Sequence, residues 1–178
     1  MDSHWIGQAV GILAMIESFF IFQVTDRRKM VLLKLVDDVL WIIHFVLIGG
    51  YTGALTTTVA IFREIIFFFR GEKKWASSPL WAVGFSIVFA ACAPLSWTGI
   101  FSIFPATASV ISTWVFWMKR TETAKLLQVP SAVCTLVYTV VYSSYSGMLA
   151  QIIMLVSIGL FFGRKALQKR NRTSKIGQ

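Results

Sequence analysis

The chain has 178 residues, 56% of them hydrophobic and only 14% charged, with a mean hydropathy of +0.70, which excludes a water-soluble globular domain. Seventeen Lys and Arg stand against eight Asp and Glu, a formal charge of +9, and in so apolar a chain that excess encodes membrane topology rather than nucleic-acid binding. The apolar residues gather in runs of about 15 to 22, the length that crosses a hydrocarbon core of about 30 Å, so the expected fold is an all-α polytopic membrane protein.

In chain order, run 1 covers residues 5–24, run 2 residues 30–48 and run 3 residues 52–69, separated by a basic turn and then by a Gly-Gly-Tyr turn. Run 4, residues 80–93, is short and lies between Pro79 and Pro94. Run 5 takes residues 100–118, run 6 residues 126–142 and run 7 residues 148–163, which makes seven predicted spans. The first residues, Met1 to His4, lack the basic segment of a secretory signal, so the first helix is expected to stay in the membrane. Cys92 and Cys134 fall inside apolar runs and read as small core residues, with no cofactor implied.

Orientation follows from the basic residues, which short cytoplasmic loops hold in excess. Arg27, Arg28, Lys29 and Lys34 surround the first turn; Arg70, Lys73 and Lys74 follow run 3; Lys119, Arg120 and Lys125 follow run 5; Arg164 to Lys175 form a basic tail. The connections at 49–51, 94–99 and 143–147 contain none. Every basic residue except Arg63 thus sits on alternate connections, which fits an external N-terminus, seven crossings and a cytoplasmic C-terminus.

Sliding the sequence on itself by 94 residues aligns Tyr51, Gly53 and Leu55 with Tyr145, Gly147 and Leu149, and Phe67, Phe68 and Arg70 with Phe161, Phe162 and Arg164. The same shift pairs Ser18 with Ser112, Phe22 with Phe116 and Val46 with Val140. The expected organisation is therefore a first three-helix bundle over 1–74, a linker helix over 75–97, a second bundle over 98–165 and a basic tail over 166–178. Because each unit begins outside and ends inside, the odd linker restarts the second in the same orientation, and the repeats are parallel.

A 3+1+3 arrangement of this size resembles the SWEET and PQ-loop superfamily of small transporters. The more specific resemblance is to the bacterial inner membrane protein YgjV family. It is carried by Trp5, Gln8 and Gly11 in the first helix, by His44, Phe45, Leu47, Gly49, Gly53, Ala54 and Arg63 across helices 2 and 3, and by Pro105, Ser112, Thr113 and Trp114 in helix 5. The resemblance implies a SWEET-like bundle and solute transport. The chain departs from the SWEET pattern in having no Pro-Gln dipeptide and Gly11 where the second repeat has Pro105.

Ionisable residues within spans are costly and face a bundle interior or a wet cavity. Six occur: Glu17, Asp37, Asp38, His44, Arg63 and Glu64. Counted from the expected cytoplasmic ends, Glu17, Asp37 and Arg63 lie at similar depth, roughly 10 Å at about 1.5 Å per residue, and form a candidate charge layer or gate. Arg63 is the natural partner of Glu17 or Asp37, and the 100° step between adjacent residues keeps Asp37 from Asp38, and Arg63 from Glu64, on one cavity. Their counterparts in the second unit are Ile111, Ser131, Ala132, Tyr138, Ser157 and Ile158, so that unit does without such a network. Asp37, Trp41 and His44 share a helix face and read as a solute path, though His44 also suits an interfacial anchor. Thr56, Ser112, Trp114 and Gln151 complete the candidate path, with Trp114 and Ser112 offering stacking and hydrogen bonds. Gly7 with Gly11, Gly49 with Gly53 and Gly159 with Gly163 have spacing that permits close helix approach.

These readings favour a small-solute transporter or facilitator, proton-linked if the charge layer titrates, working by alternating access between the two bundles. The alternative is a non-transporting scaffold or partner subunit whose buried charges are structural. An enzyme is not expected, since two histidines and no Cys-His or Ser-His-Asp set offer neither haem ligands nor a nucleophile. The expected partners are a small-molecule solute and membrane lipids, with no metal and no nucleic acid. Two full units allow a functional monomer, and association into a homo-oligomer stays open.

Overall fold

The computed structural model describes residues 3–21, 27–70, 72–118 and 120–176, giving only the backbone for 19–21, 27–31, 121 and 168–176. Seven α-helices form: α1 Ser3–Ile21, α2 Arg27–Leu47, α3 Tyr51–Phe68, α4 Leu80–Leu95, α5 Ile103–Trp117, α6 Thr121–Val141 and α7 Tyr145–Ile176. Among the described residues there is no strand beyond one isolated bridge between Arg70 and Lys73. Three stretches, Ile100–Trp117, Glu122–Val141 and Tyr145–Leu167, are long and apolar enough to cross a membrane, and Leu80–Leu95 is a shorter apolar helix. The end of run 1, the Phe22 pairing and the side chains of Arg27, Arg28, Lys29, Lys119, Lys169, Arg170, Arg172 and Lys175 lie outside the described residues.

Helices outrun apolarity where the flanking residues are good helix formers. Run 7 ends at Gly163, but α7, 32 residues long in all, continues to Ile176 through the stretch read as a separate tail. Lys, Arg and Gln extend a helix at little cost, so the backbone pattern persists after the hydrophobic face has ended. The same reasoning puts the start of α2 at Arg27 and that of α6 at Thr121.

The helices pair α1 with α2, α2 with α3, α3 with α5, α5 with α6, α6 with α7 and α7 with α1, closing a ring of six. Helix α4 packs against α3 and α5 at one seam of that ring. There Ala60, Phe85 and Phe89 form a buried cluster with Val59, Phe67, Trp81 and Val110 around it. A second cluster of Phe45, Ala54 and Tyr138 joins α2, α3 and α6.

The turns before α3 and α7 match bond for bond. Gly49 and Ser143, 94 positions apart, both take positive φ, at 80° and 51°. Gly50 N–H donates to Phe45 O and Ser144 N–H to Thr139 O, each at 2.8 Å, while Gly49 donates to Val46 O and Ser143 to Val140 O at 3.2 and 3.1 Å. These are helix C-terminal bonds that satisfy carbonyls the helix itself cannot. At the opposite end, Arg70 donates to Trp117 O at 2.7 Å and lies 3.6 Å from the Trp117 ring centre, tying the end of α3 to the end of α5.

Candidate solute cavity and its buried charge layer

A cavity of about 180 Å³ lies between the helices of the two halves. Phe45, Gly53, Thr56 and Thr57 line it from α2 and α3; Pro105, Ser109 and Ser112 from α5; Gln128, Ser131, Thr135 and Tyr138 from α6; Gln151 and Met154 from α7. None of the lining side chains carries a formal charge. Most of the hydroxyl protons are spent on the residue's own helix: Thr56 donates to Thr52 O at 2.9 Å, Thr57 to Gly53 O at 2.8 Å and Ser112 to Ser109 O at 3.0 Å. The hydroxyl oxygens therefore face the cavity as acceptors, and the amides of Gln128 and Gln151 supply donors. Gln128 donates to Met154 Sδ at 3.4 Å, and a thioether is a weak acceptor, so that proton is readily available to a better one.

Thr56, Ser112 and Gln151, expected on the solute path, are brought together here. The other expected path residues are not among the lining. Trp114 is exposed, because two helical steps from Ser112 turn it about 200° to the outer face of α5. Trp41 packs on the Phe45 and Tyr138 cluster, its ring 5.4 Å from that of His44.

His44 is fully buried, which overturns its reading as an interfacial anchor. Its Nδ1–H donates to Gly7 O of α1 at 2.7 Å, and Nε2 meets the Ser144 hydroxyl at 2.7 Å. Ser144 in turn accepts from Gly147 N at 3.2 Å, capping the first turn of α7. Tyr138, 94 positions after His44, makes the reciprocal contact: its hydroxyl accepts from Gly53 N at 3.0 Å, in the first turn of α3. His44 and Tyr138 thus each reach across the ring to the start of another helix, α7 through Ser144 and α3 through Gly53. Gln8 adds a tether the sequence reading missed, donating to Ser143 O at 2.6 Å and accepting from Tyr145 N at 3.1 Å. A buried amide that satisfies one carbonyl and one N–H of a turn pins that turn to α1.

Glycine makes that approach possible. A Cβ on Gly11 would stand 2.6 Å from His44 Nδ1, and one on Gly7 would stand 2.9 Å from Ile48 Cγ2. Gly7 and Gly11 are therefore a contact stripe, whereas Gly159 and Gly163 meet nothing within 4 Å.

The charge layer is rearranged from its expected form. Arg63 does not pair with Glu17 or Asp37; Nη1 donates to Ser112 Oγ at 2.8 Å and Thr113 Oγ1 at 3.3 Å, and Nη2 reaches Glu64 at 3.4 Å. Its guanidinium also lies 5.3 Å from the Phe89 ring centre and 4.9 Å from that of Phe116. Asp37 takes a bond from Ser18 at 2.8 Å and one from Lys34 at 3.2 Å. Lys34 also contacts Asp38 and lies 4.0 Å from Glu64. Lys34, counted only as a topology signal, is the hub of the layer. The 100° separation of adjacent residues did not keep them apart, since a four-carbon stem at i reaches both i+3 and i+4. Glu17 is partly exposed on α1, facing Asp37 and Lys34.

The Imp-YgjV family model, described as a bacterial inner membrane protein, matches residues 5–169, and the chain belongs to that family. No curated protein and no solved structure matches the chain.

Proposed function

We propose that this inner membrane protein is a seven-span transporter or facilitator of small, uncharged, polar solutes. The observation that carries the reading is the cavity between the two halves, lined by hydroxyl oxygens and two amides and by no charged side chain. Sites for drug-sized ligands occupy about 300–1,000 Å³, so this smaller space suits a solute of only several non-hydrogen atoms. The occupant binds through the Thr56 and Ser112 oxygens and the Gln128 and Gln151 amides. A carboxylate or an ammonium would have no counter-charge in the lining.

The matching turns before α3 and α7 and the reciprocal caps made by His44 and Tyr138 support a parallel 3+1+3 repeat of the SWEET type. With the N-terminus outside, those turns lie at the external end, and the α5–α6 connection at the cytoplasmic end. Alternating access then consists of rocking one unit on the other. The external end is held by Gln8, His44 and Tyr138, so the conformation described is closed on that side. The chemistry is binding and release; no nucleophile or cofactor takes part.

The test is uptake by proteoliposomes, with a panel of neutral polyols, amides and small sugars set against organic acids and amines. Saturable uptake of a neutral solute, reduced at least tenfold by Gln151→Leu, is the expected result. Uptake confined to charged solutes would overturn the solute class, and no uptake across the panel would favour a scaffold. The scaffold reading draws on the inter-unit hydrogen bonds of His44 and Gln8, which by themselves need no solute.

A further inference from the structure

Helices α2 and α3 set two cations, the half-buried Lys34 and the buried Arg63, against three acids, Asp37, Asp38 and Glu64, which leaves one negative charge uncompensated among these five. Within a membrane protein's interior such a charge is not tolerated without a partner. The hydrogen bonds show where it falls. Asp37 is satisfied on both oxygens, Oδ1 by Ser18 and Oδ2 by Lys34. Asp38 uses Oδ1 on Lys34, and Glu64 uses Oε1 on Arg63 and Lys34. Asp38 Oδ2 and Glu64 Oε2 are both buried with no donor, and the Asp38 side chain is only 5% exposed. The two carboxyl groups flank the same ammonium, Asp38 through Oδ1 and Glu64 through Oε1 at 4.0 Å.

We infer that Asp38 and Glu64, each with one buried oxygen left without a donor, together bind a single proton. One proton on this pair neutralises one of the two carboxylates that each keep a buried oxygen without a donor. It also brings the five-residue cluster to zero net charge. The proton comes from water and no other bond changes. Among the described residues no group of three or more acids, His or Cys is disposed to hold a metal ion.

The groups facing the pair come from three helices. Lys34 and Asp37 share α2 with Asp38, Arg63 shares α3 with Glu64, and Glu17 of α1 faces Lys34 and Asp37. Helix α5 enters through Ser112, which accepts from Arg63 and also lines the cavity. As the coupling site of a transporter the pair rests on the proposed function; as a proton site it can be measured without any solute.

The measurement is pH-difference infrared spectroscopy of the full-length protein in lipid nanodiscs, comparing wild type with Asp38→Asn and Glu64→Gln. A protonated-carboxyl carbonyl band that titrates in the wild type and is lost in both variants is the expected result. Absence of that band in the wild type, which requires no substitution, overturns the inference. So does a band retained unchanged in either variant, which would place the proton on Asp37 or Glu17. If the band is found while uptake fails for every solute, the transport reading falls and the proton site stands.

Discussion

The first three helices and the last three share the same turn geometry but differ completely in what they bury. At the positions where the first half holds Lys34, Asp37, Asp38, Arg63 and Glu64, the second holds Gln128, Ser131, Ala132, Ser157 and Ile158. Ser131 satisfies itself with one bond to Ala108 O at 2.9 Å, and Ala132 and Ile158 are simply buried. A three-helix unit of this shape therefore stands without a charge cluster. The ions in the first half cost desolvation that the packing of the second half does without.

The comparison breaks most severely if one buried ion is removed alone. Arg63→Ala strips Glu64 of its near partner and empties the space between Phe89 and Phe116; a loss of about 3–5 kcal/mol is expected, read by denaturant unfolding in nanodiscs. Replacing Arg63 and Glu64 together by Ser and Ile, the residues of the second half, should recover most of that loss if the cluster is not structural. Next in size is Gly11→Ala, which forces a methyl against the His44 ring; about 1–3 kcal/mol is expected from overpacking, by the same unfolding assay. The reciprocal caps sharpen the comparison further. Ser144→Ala and Tyr138→Phe each remove one cross-ring hydrogen bond, at about 0.5–1.5 kcal/mol apiece, and near-equal losses would show that His44 and Tyr138 do the same job. The smallest effect belongs to Trp114→Ala, within about 0.5 kcal/mol and without change in uptake, since that side chain is 36% exposed on the outer face of α5. A large effect there would return Trp114 to the solute path.

Helix positions were legible because each apolar run is bounded by charge, proline or glycine, and the Tyr-x-Gly-x-Leu pattern carried the turns. The cavity lining was legible in part: Thr56, Ser112 and Gln151 line it, while Trp114 lies outside the lining, as its two-residue offset from Ser112 on one helix already implied. Ion pairing was not legible. Helical angles locate Cα atoms, but long side chains decide partners, and Arg63 chose Glu64 and two hydroxyls over acids on other helices. Lys34 carried a usable signal in its i+3 and i+4 spacing to Asp37 and Asp38. The burial of His44 and the bridging by Gln8 depend on contacts across more than 90 positions, which no local pattern records.

The ring's two seams are unequal. Where α3 meets α5, α4 backs the joint with Phe85 and Phe89, and the chain itself runs from one half to the other. Where α1 meets α7 there is no covalent link and no backing helix among the described residues, only Gln8 and the His44 bridge to Ser144 beside glycine. The molecule is bound like a book, with α4 as its spine and the meeting of α1 and α7 as its fore-edge. A covalent staple placed between α1 and α7 would close the one seam of the ring that no connecting segment crosses, while leaving each half intact.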